Sequence, residues 1–86
     1  MADINKEKIV DILFAFICRT FPLADPKSLK LEDNLIETGI VDSLGVFVII
    51  EFIEETFSMS VQNEDVVPDN FASIEAMASY IKLSLG

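Results

Sequence analysis

Apolar residues recur with helical spacing in three long segments of the chain. The first segment runs from about Asn5 to Arg19, and the spacing of its apolar positions predicts an amphipathic helix. Asp3 or Asn5 can cap this helix, because both side chains accept hydrogen bonds from free backbone N–H groups. The apolar positions that define its buried face are Ile9, Leu13, Phe16 and Ile17.

The second segment, Ser43 to Phe57, is almost continuously apolar and follows Asp42, a residue type that favours helix starts. It carries more apolar surface than one helical stripe needs, which predicts the central helix of the fold. The residues assigned to this surface are Phe47, Ile50, Phe52, Ile53 and Phe57.

The third segment has the most regular pattern. Ser73 can cap a closing helix, and the apolar positions that follow are spaced i, i+3, i+4, i+7 and i+11. They are Ile74, Met77, Ala78, Ile81 and Leu85.

The connections complete the architecture. Periodicity fails from Thr20 to Val41, where Pro22 and Pro26 remove backbone donors. Isolated apolar residues in this stretch are predicted to pin a long loop to the core: Leu29, Leu31, Leu35 and Ile36. Residues 63–67 can form one short helical turn before Pro68. The pattern predicts an all-α bundle of three longer helices and one short one, in a single domain over residues 1–86.

Charge narrows the class of partner. The chain has 15 acidic and 6 basic residues and no histidine, for a net charge of -9. No Lys or Arg lies between Lys30 and Lys82, so the middle of the chain is a continuous anionic surface. This surface repels nucleic acids and anionic lipids, and it favours a basic patch on a partner protein.

The residue types in the chain limit the reactions that it can catalyse and the metals that it can bind. Without histidine the chain cannot build a His-dependent catalytic triad, and its acidic residues lack the spacing of a metal site. The single cysteine, Cys18, lies in an apolar run that favours a buried, inert thiol, and it excludes an intrachain disulfide. We therefore expect no catalysis by this chain. The absence of a leader pattern or a membrane-length apolar run predicts a cytoplasmic protein that does not contact membranes.

One serine stands at a place suited to covalent chemistry. Ser43 occupies the first turn of the central helix, where free N–H groups and the helix dipole favour a bound phosphate. The same Asp42-Ser43 pair is also ordinary capping chemistry, so two interpretations remain at this level.

The wider context favours the chemical interpretation. The run Gly39-Ile40-Val41-Asp42-Ser43-Leu44 and the helix after it resemble the signature of acyl and peptidyl carrier proteins. The resemblance implies a four-helix carrier fold and a 4'-phosphopantetheine arm, which a phosphopantetheinyl transferase moves from coenzyme A to Ser43. It also implies that Asp42 caps the helix and presents Ser43.

The resemblance extends to the class of cargo. The segment from Val67 to Met77, together with residues 40–43, is similar to free-standing aminoacyl carriers of secondary metabolism, and most of all to prolyl carriers. This implies loading by an adenylating enzyme and delivery to an oxidising or condensing enzyme. A fatty-acyl or polyketide carrier is the alternative.

The exposed face of the central helix is the predicted docking surface. Leu44 and Val48 form an apolar i, i+4 pair, although Val48 can equally belong to the core. Acidic residues follow farther along: Glu51, Glu54 and Glu55. A monomer is expected. The rival from another class is an acidic helical interaction module without an arm, in which Asp42-Ser43 is only a cap.

Overall fold

The computed structural model describes residues 4–86 and begins with helix α1, Lys6–Thr20. Asn5 is its N-cap, because the Asn5 side chain accepts a hydrogen bond from the Lys8 backbone N–H at 2.8 Å. The alternative cap, Asp3, lies outside the described residues. Helix α1 buries the predicted apolar face: Ile9, Leu13, Phe16 and Ile17.

Helix α2, Ser43–Phe57, follows a long loop and crosses the core. Its inward residues include Ile49, Ile50 and Ile53, all of which are buried. Phe52 is half-buried and stacks on Phe16 of α1, with 3.8 Å between the ring centroids and an interplanar angle of 10°. These contacts tie α1 and α2 together through aromatic and aliphatic side chains.

The chain after α2 forms two short helical pieces where one was predicted. A 3₁₀ turn spans Asn63–Asp65, and helix α3 spans Pro68–Phe71. Pro68 therefore begins a helix, because its missing N–H is at a position where no intrahelical bond is needed. Phe71 is 3% exposed and anchors this region, and the Asn70 side chain donates to the Asp65 carbonyl at 2.8 Å.

Helix α4, Ile74–Leu85, packs against α1 and α3. The Ser73 side chain caps it by accepting from the Ala76 N–H at 3.0 Å. Two contacts near the ends of α1 and α4 hold the helices in register, namely an ion pair between Lys6 and Glu75 and a hydrogen bond from Lys82 Nζ to the Ile4 carbonyl. The predicted all-α fold is confirmed over residues 4–86, which contain no strand.

The structure corrects two predictions about apolar residues. Phe47, which its apolar character assigns to the core, is 62% exposed. Helix α2 is apolar nearly all round, and only the side that carries Gly45, Ile49, Ile50 and Ile53 is buried. Ile36 was expected to anchor the long loop, yet it is 40% exposed, whereas the adjacent Leu35 is fully buried. No helix within residues 4–86 has the length and apolar run that a membrane crossing requires.

Candidate functional site

The N-terminus of α2 is set by Asp42. Its backbone is extended, and its carboxylate oxygen Oδ1 accepts from the Gly45 N–H at 2.7 Å. Its carbonyl accepts from the Val46 N–H at 3.1 Å, which begins the helical hydrogen-bond series. Asp42 thus caps the helix with its side chain and starts it with its backbone.

Ser43 is the first residue of α2 and is exposed to solvent. Because the Asp42 side chain caps the helix, the Ser43 hydroxyl is not needed as a cap. The N–H groups of Ser43 and Leu44 belong to the first helical turn, which has no intrahelical acceptor for them. These groups and the positive end of the helix dipole suit a phosphodiester attached at the hydroxyl.

Gly45 brings the loop close to the start of α2, a role that the sequence pattern did not reveal. It is buried, and a Cβ atom added to it would lie 2.8 Å from Cε1 of Phe21 and 2.9 Å from Cγ1 of Val41. A larger residue would have to displace both side chains. A glycine in the first turn of an otherwise apolar helix is the signal that could have indicated this close packing.

The segment before Asp42 is held by backbone bonds to the far end of the chain. The Leu35 N–H donates to the Ala72 carbonyl at 2.7 Å, and the Glu75 N–H donates to the Leu31 carbonyl at 2.9 Å. The Val41 N–H donates to the Leu35 carbonyl at 3.0 Å, which closes the turn that leads into α2. The position of Ser43 therefore depends on the junction between α3 and α4.

A side-chain turn and a glycine shape the same segment. Asn34 Oδ1 accepts from the N–H groups of Ile36 and Glu37 at 3.1 and 2.9 Å. Gly39 has a φ of 81°, a left-handed conformation that glycine adopts without steric cost. The chain can thus reverse direction just before the capped helix.

The outer face of α2 is apolar in its first two turns. Leu44 is 76% exposed and Val48 is 43% exposed, so the structure places this pair at the surface. The exposed Phe47 ring lies between them in sequence and enlarges the same apolar patch. The sequence pattern missed Phe47 because its aromatic character and helical spacing suit a core position equally well.

The outer face becomes acidic in the following turns. Glu51 and Glu55 are exposed, whereas Glu54 is half-buried. The Glu54 carboxylate accepts from the Val61 N–H at 2.8 Å and so holds the chain after α2 against the helix. The structure therefore gives Glu54 a structural contact besides its charge.

A cleft opens beside Ser43 between the start of the long loop and α2. Its volume is about 540 Å³, and both chain neighbours of Ser43, Asp42 and Leu44, line it. Other lining residues come from the two ends of the long loop and from α2: Phe21, Leu23, Ile40 and Val48.

The only cysteine of the chain, Cys18, is half-buried in α1. Burial raises the pKa of its thiol, and the negative charge of Asp25 raises the pKa further. The thiol therefore stays protonated at neutral pH and is a poor nucleophile.

Comparison with known proteins gives two matches. A family model described as phosphopantetheine attachment site matches residues 11–81, a segment that includes the start of α2 and the loop before it. The probable acyl carrier protein PigG of Serratia sp. (strain ATCC 39006) is 26% identical over 70 residues, which cover 81% of this chain and 80% of that protein. The match spans most of the bundle, so the chain belongs to the phosphopantetheine attachment site family, the carrier proteins that hold a covalent 4'-phosphopantetheine.

Proposed function

We propose that this protein is an aminoacyl carrier in which Ser43 holds the phosphopantetheine arm. The observation that carries the proposal is the exposed Ser43 hydroxyl at the start of a helix that Asp42 already caps. The arm, when attached, supplies a thiol that holds the cargo as a thioester. The protein then moves this cargo between biosynthetic enzymes of secondary metabolism.

The chemistry at Ser43 asks little of the carrier itself. The Ser43 oxygen forms a bond to the phosphorus that carries the pantetheine, and the bond from that phosphorus to the bridging oxygen of the coenzyme A diphosphate breaks. Adenosine 3',5'-bisphosphate leaves with the bridging oxygen, and the serine proton goes to a base of the transferase. The Asp42 carboxylate is held in place, because its Oδ1 accepts a hydrogen bond from the Gly45 N–H. Its role in this proposal is to fix the helix start so that the transferase meets the hydroxyl in one orientation.

The outer face of α2 is the surface on which partner enzymes dock. Leu44 and Val48 lie one helical turn apart, and Glu51 and Glu55 continue the same face. A partner with an apolar depression bordered by basic side chains complements this order. The acidic part speeds encounter, and the apolar part determines how long the complex lasts.

The cargo is proposed from sequence resemblance. Residues 67–77 and 40–43 are similar to aminoacyl carriers, and among those to prolyl carriers. An adenylating enzyme would load the amino acid, and an oxidising or condensing enzyme would receive it. The name of the relative, a probable acyl carrier protein, keeps a fatty-acyl or polyketide cargo as the second candidate.

Intact mass spectrometry tests the attachment site. The purified chain is incubated with coenzyme A and a broad-specificity phosphopantetheinyl transferase, and we expect the mass to rise by one arm. Ser43→Ala should show no gain, while Ser60→Ala, which removes another exposed hydroxyl, should gain the arm normally. No gain in the parent chain would favour the interaction module, and a gain in Ser43→Ala would place the arm elsewhere.

Loading of the modified protein tests the cargo. The protein is presented to adenylating enzymes with a panel of amino acids, and separately to fatty-acyl ligases. We expect an aminoacyl thioester, with proline among the accepted amino acids. Exclusive loading with fatty acids would contradict the aminoacyl assignment and leave the attachment site unaffected.

A further inference from the structure

Tyr80 of α4 holds the segment around α3 at two points. Its hydroxyl donates to Asp65 Oδ2 at 2.8 Å, and its ring contacts the Phe71 ring with 5.4 Å between the centroids. Asp65 ends the 3₁₀ turn before α3, and Phe71 is the last residue of α3. One side chain on α4 therefore contacts residues at both ends of this short helix.

Asp65 is joined to α3 through its backbone carbonyl. This carbonyl accepts from the Val67 N–H at 2.9 Å and from the Asn70 side chain at 2.8 Å. A helix of four residues is unstable by itself, because nucleating a helix costs more than its first hydrogen bonds return. The position of α3 therefore depends on its contacts with Asp65 and Tyr80.

Two backbone bonds continue from α3 to the start of α2. The carbonyl of Ala72, the residue after α3, accepts from the Leu35 N–H at 2.7 Å, and the Leu35 carbonyl accepts from the Val41 N–H at 3.0 Å. Val41 is 2% exposed and directly precedes the cap Asp42. A continuous series of hydrogen bonds thus runs from α4 through α3 to the residue before the helix cap.

Resting on the proposed attachment at Ser43, we infer that Tyr80 is a positioning residue for attachment of the arm. Its hydroxyl holds Asp65 and with it α3, and α3 holds the loop that leads into α2. Without the hydroxyl the loop is released in part of the molecules, and only the remainder present Ser43 in the productive orientation. A carrier that is competent only in part binds the transferase more weakly by that fraction, but it reacts at the same rate once it is bound.

Attachment kinetics test the inference with Tyr80→Phe, which removes the hydroxyl and keeps the ring against Phe71. Intact mass first verifies that the parent chain gains the arm at saturating coenzyme A, and the initial rate is then measured against carrier concentration. We expect the KM for the carrier to rise about threefold if roughly a third of the molecules keep the loop in place, with kcat unchanged. An unchanged KM, or a fall in kcat alone, would overturn the inference.

Two substitutions of Asp65 separate the hydrogen bond from the charge. Asp65→Ala removes the acceptor and should raise KM as Tyr80→Phe does. Asp65→Asn removes the same charge but keeps a side-chain oxygen that can accept from the Tyr80 hydroxyl, so its KM should stay close to that of the parent. A KM as high as that of Asp65→Ala would instead make the charge the cause and overturn the inference.

The double variant Tyr80→Phe/Asp65→Ala tests whether the two side chains act through one bond. Its KM should be no higher than that of either single variant, because the first substitution already removes the bond. A rise of about ninefold, the product of two independent effects, would contradict a shared bond.

Asn5→Ala is the control for a general loss of stability. It removes the cap of α1, where the Asn5 side chain accepts from the Lys8 N–H at 2.8 Å, and it lies outside the series of hydrogen bonds. Urea unfolding measures the stability of both variants, and KM should rise in Tyr80→Phe but not in Asn5→Ala. An equal rise in both would assign the effect to general destabilisation.

Amide hydrogen exchange tests the series of hydrogen bonds without the transferase. In Tyr80→Phe the Leu35 and Val41 N–H groups should exchange faster by about tenfold or more, whereas the N–H of Leu13, in the middle of α1, should change only as far as global stability does. Equal changes at all three N–H groups would overturn the inference even if the arm attaches normally. A parent chain that gains no arm contradicts the proposed function and, with it, the role of Tyr80 in attachment; the exchange rates then show whether Tyr80 holds the loop all the same.

Discussion

Helices α2 and α4 begin with similar caps, but the residue after the cap lies in a different environment. Asp42 accepts from the N–H three residues later at 2.7 Å, and Ser73 does the same at 3.0 Å. The residue after the cap differs, since Ser43 is exposed whereas Ile74 is completely buried. The capping hydrogen bonds are therefore alike at the two helix starts, and the exposure of the next residue distinguishes them.

The third helical position differs between the two helices too. Gly45 of α2 is pressed against the Phe21 ring and Val41, whereas Ala76 of α4 is only half-buried. The start of α2 is therefore tightly packed on its inner side and open on its outer side. Four predictions test this contrast, and urea unfolding followed by circular dichroism measures the effect of each substitution on stability.

The largest loss of stability is expected for Ile74→Ala. This side chain has no exposed surface, so its truncation leaves a cavity that costs about 3 kcal/mol. A loss of stability below about 1 kcal/mol would contradict the tight burial of the first residue of α4. Leu83→Ala, on the exposed side of the same helix, is the control and should change stability little.

Gly45→Ala is expected to destabilise the protein by about 1 kcal/mol. Alanine is the better helix former, but overpacking against Phe21 and Val41 costs about 1–3 kcal/mol and outweighs that gain. The matched change Ala76→Gly should also destabilise by about 1 kcal/mol, through helix propensity alone. Stabilisation by Gly45→Ala would mean that Phe21 can move aside freely.

Loss of either cap should cost about 1 kcal/mol, so Asp42→Ala and Ser73→Ala are expected to be alike in stability. They should differ in function if the proposed function is correct, because in that proposal Asp42 fixes the helix start that presents Ser43. We expect slower attachment of the arm, measured by mass over time, in Asp42→Ala and a normal rate in Ser73→Ala. Asp42→Asn, which keeps a capping side chain, should largely restore stability; equal attachment rates in both alanine variants would contradict the presenting role.

The smallest effect on stability is expected for Ser43→Ala. The side chain is exposed and does not cap α2. The free energy of unfolding should therefore change by less than about 0.5 kcal/mol, while modification is lost completely. A large loss of stability would indicate that Ser43 is a structural residue, as the interaction-module alternative requires.

Local sequence chemistry was enough to place the long helices. The caps Asn5, Asp42 and Ser73 all accept the hydrogen bonds expected of them, and the range Ser43–Phe57 agrees with the structure. These features depend on neighbours within one helical turn, which the sequence displays directly.

The remaining features depend on residues that are distant in sequence. Phe47 is an aromatic residue of a type common in protein cores, and only the packing of the bundle reveals that it faces outward. The tight contact of Gly45 with Phe21 depends on how the long loop returns to the bundle. Pro68 was expected to end a helical turn and instead begins α3, because the first position of a helix needs no N–H.

The bonds from Leu35 to Ala72 and from Glu75 to Leu31 have a consequence for how the protein is made. Synthesis runs from the N-terminus, so α2 leaves the ribosome before the residues that hold the loop in front of it. The loop cannot take its final form until the α3–α4 junction has also emerged. Ser43 is therefore synthesised before its surroundings are complete, and it reaches its final setting only once residues 72–75 have left the ribosome.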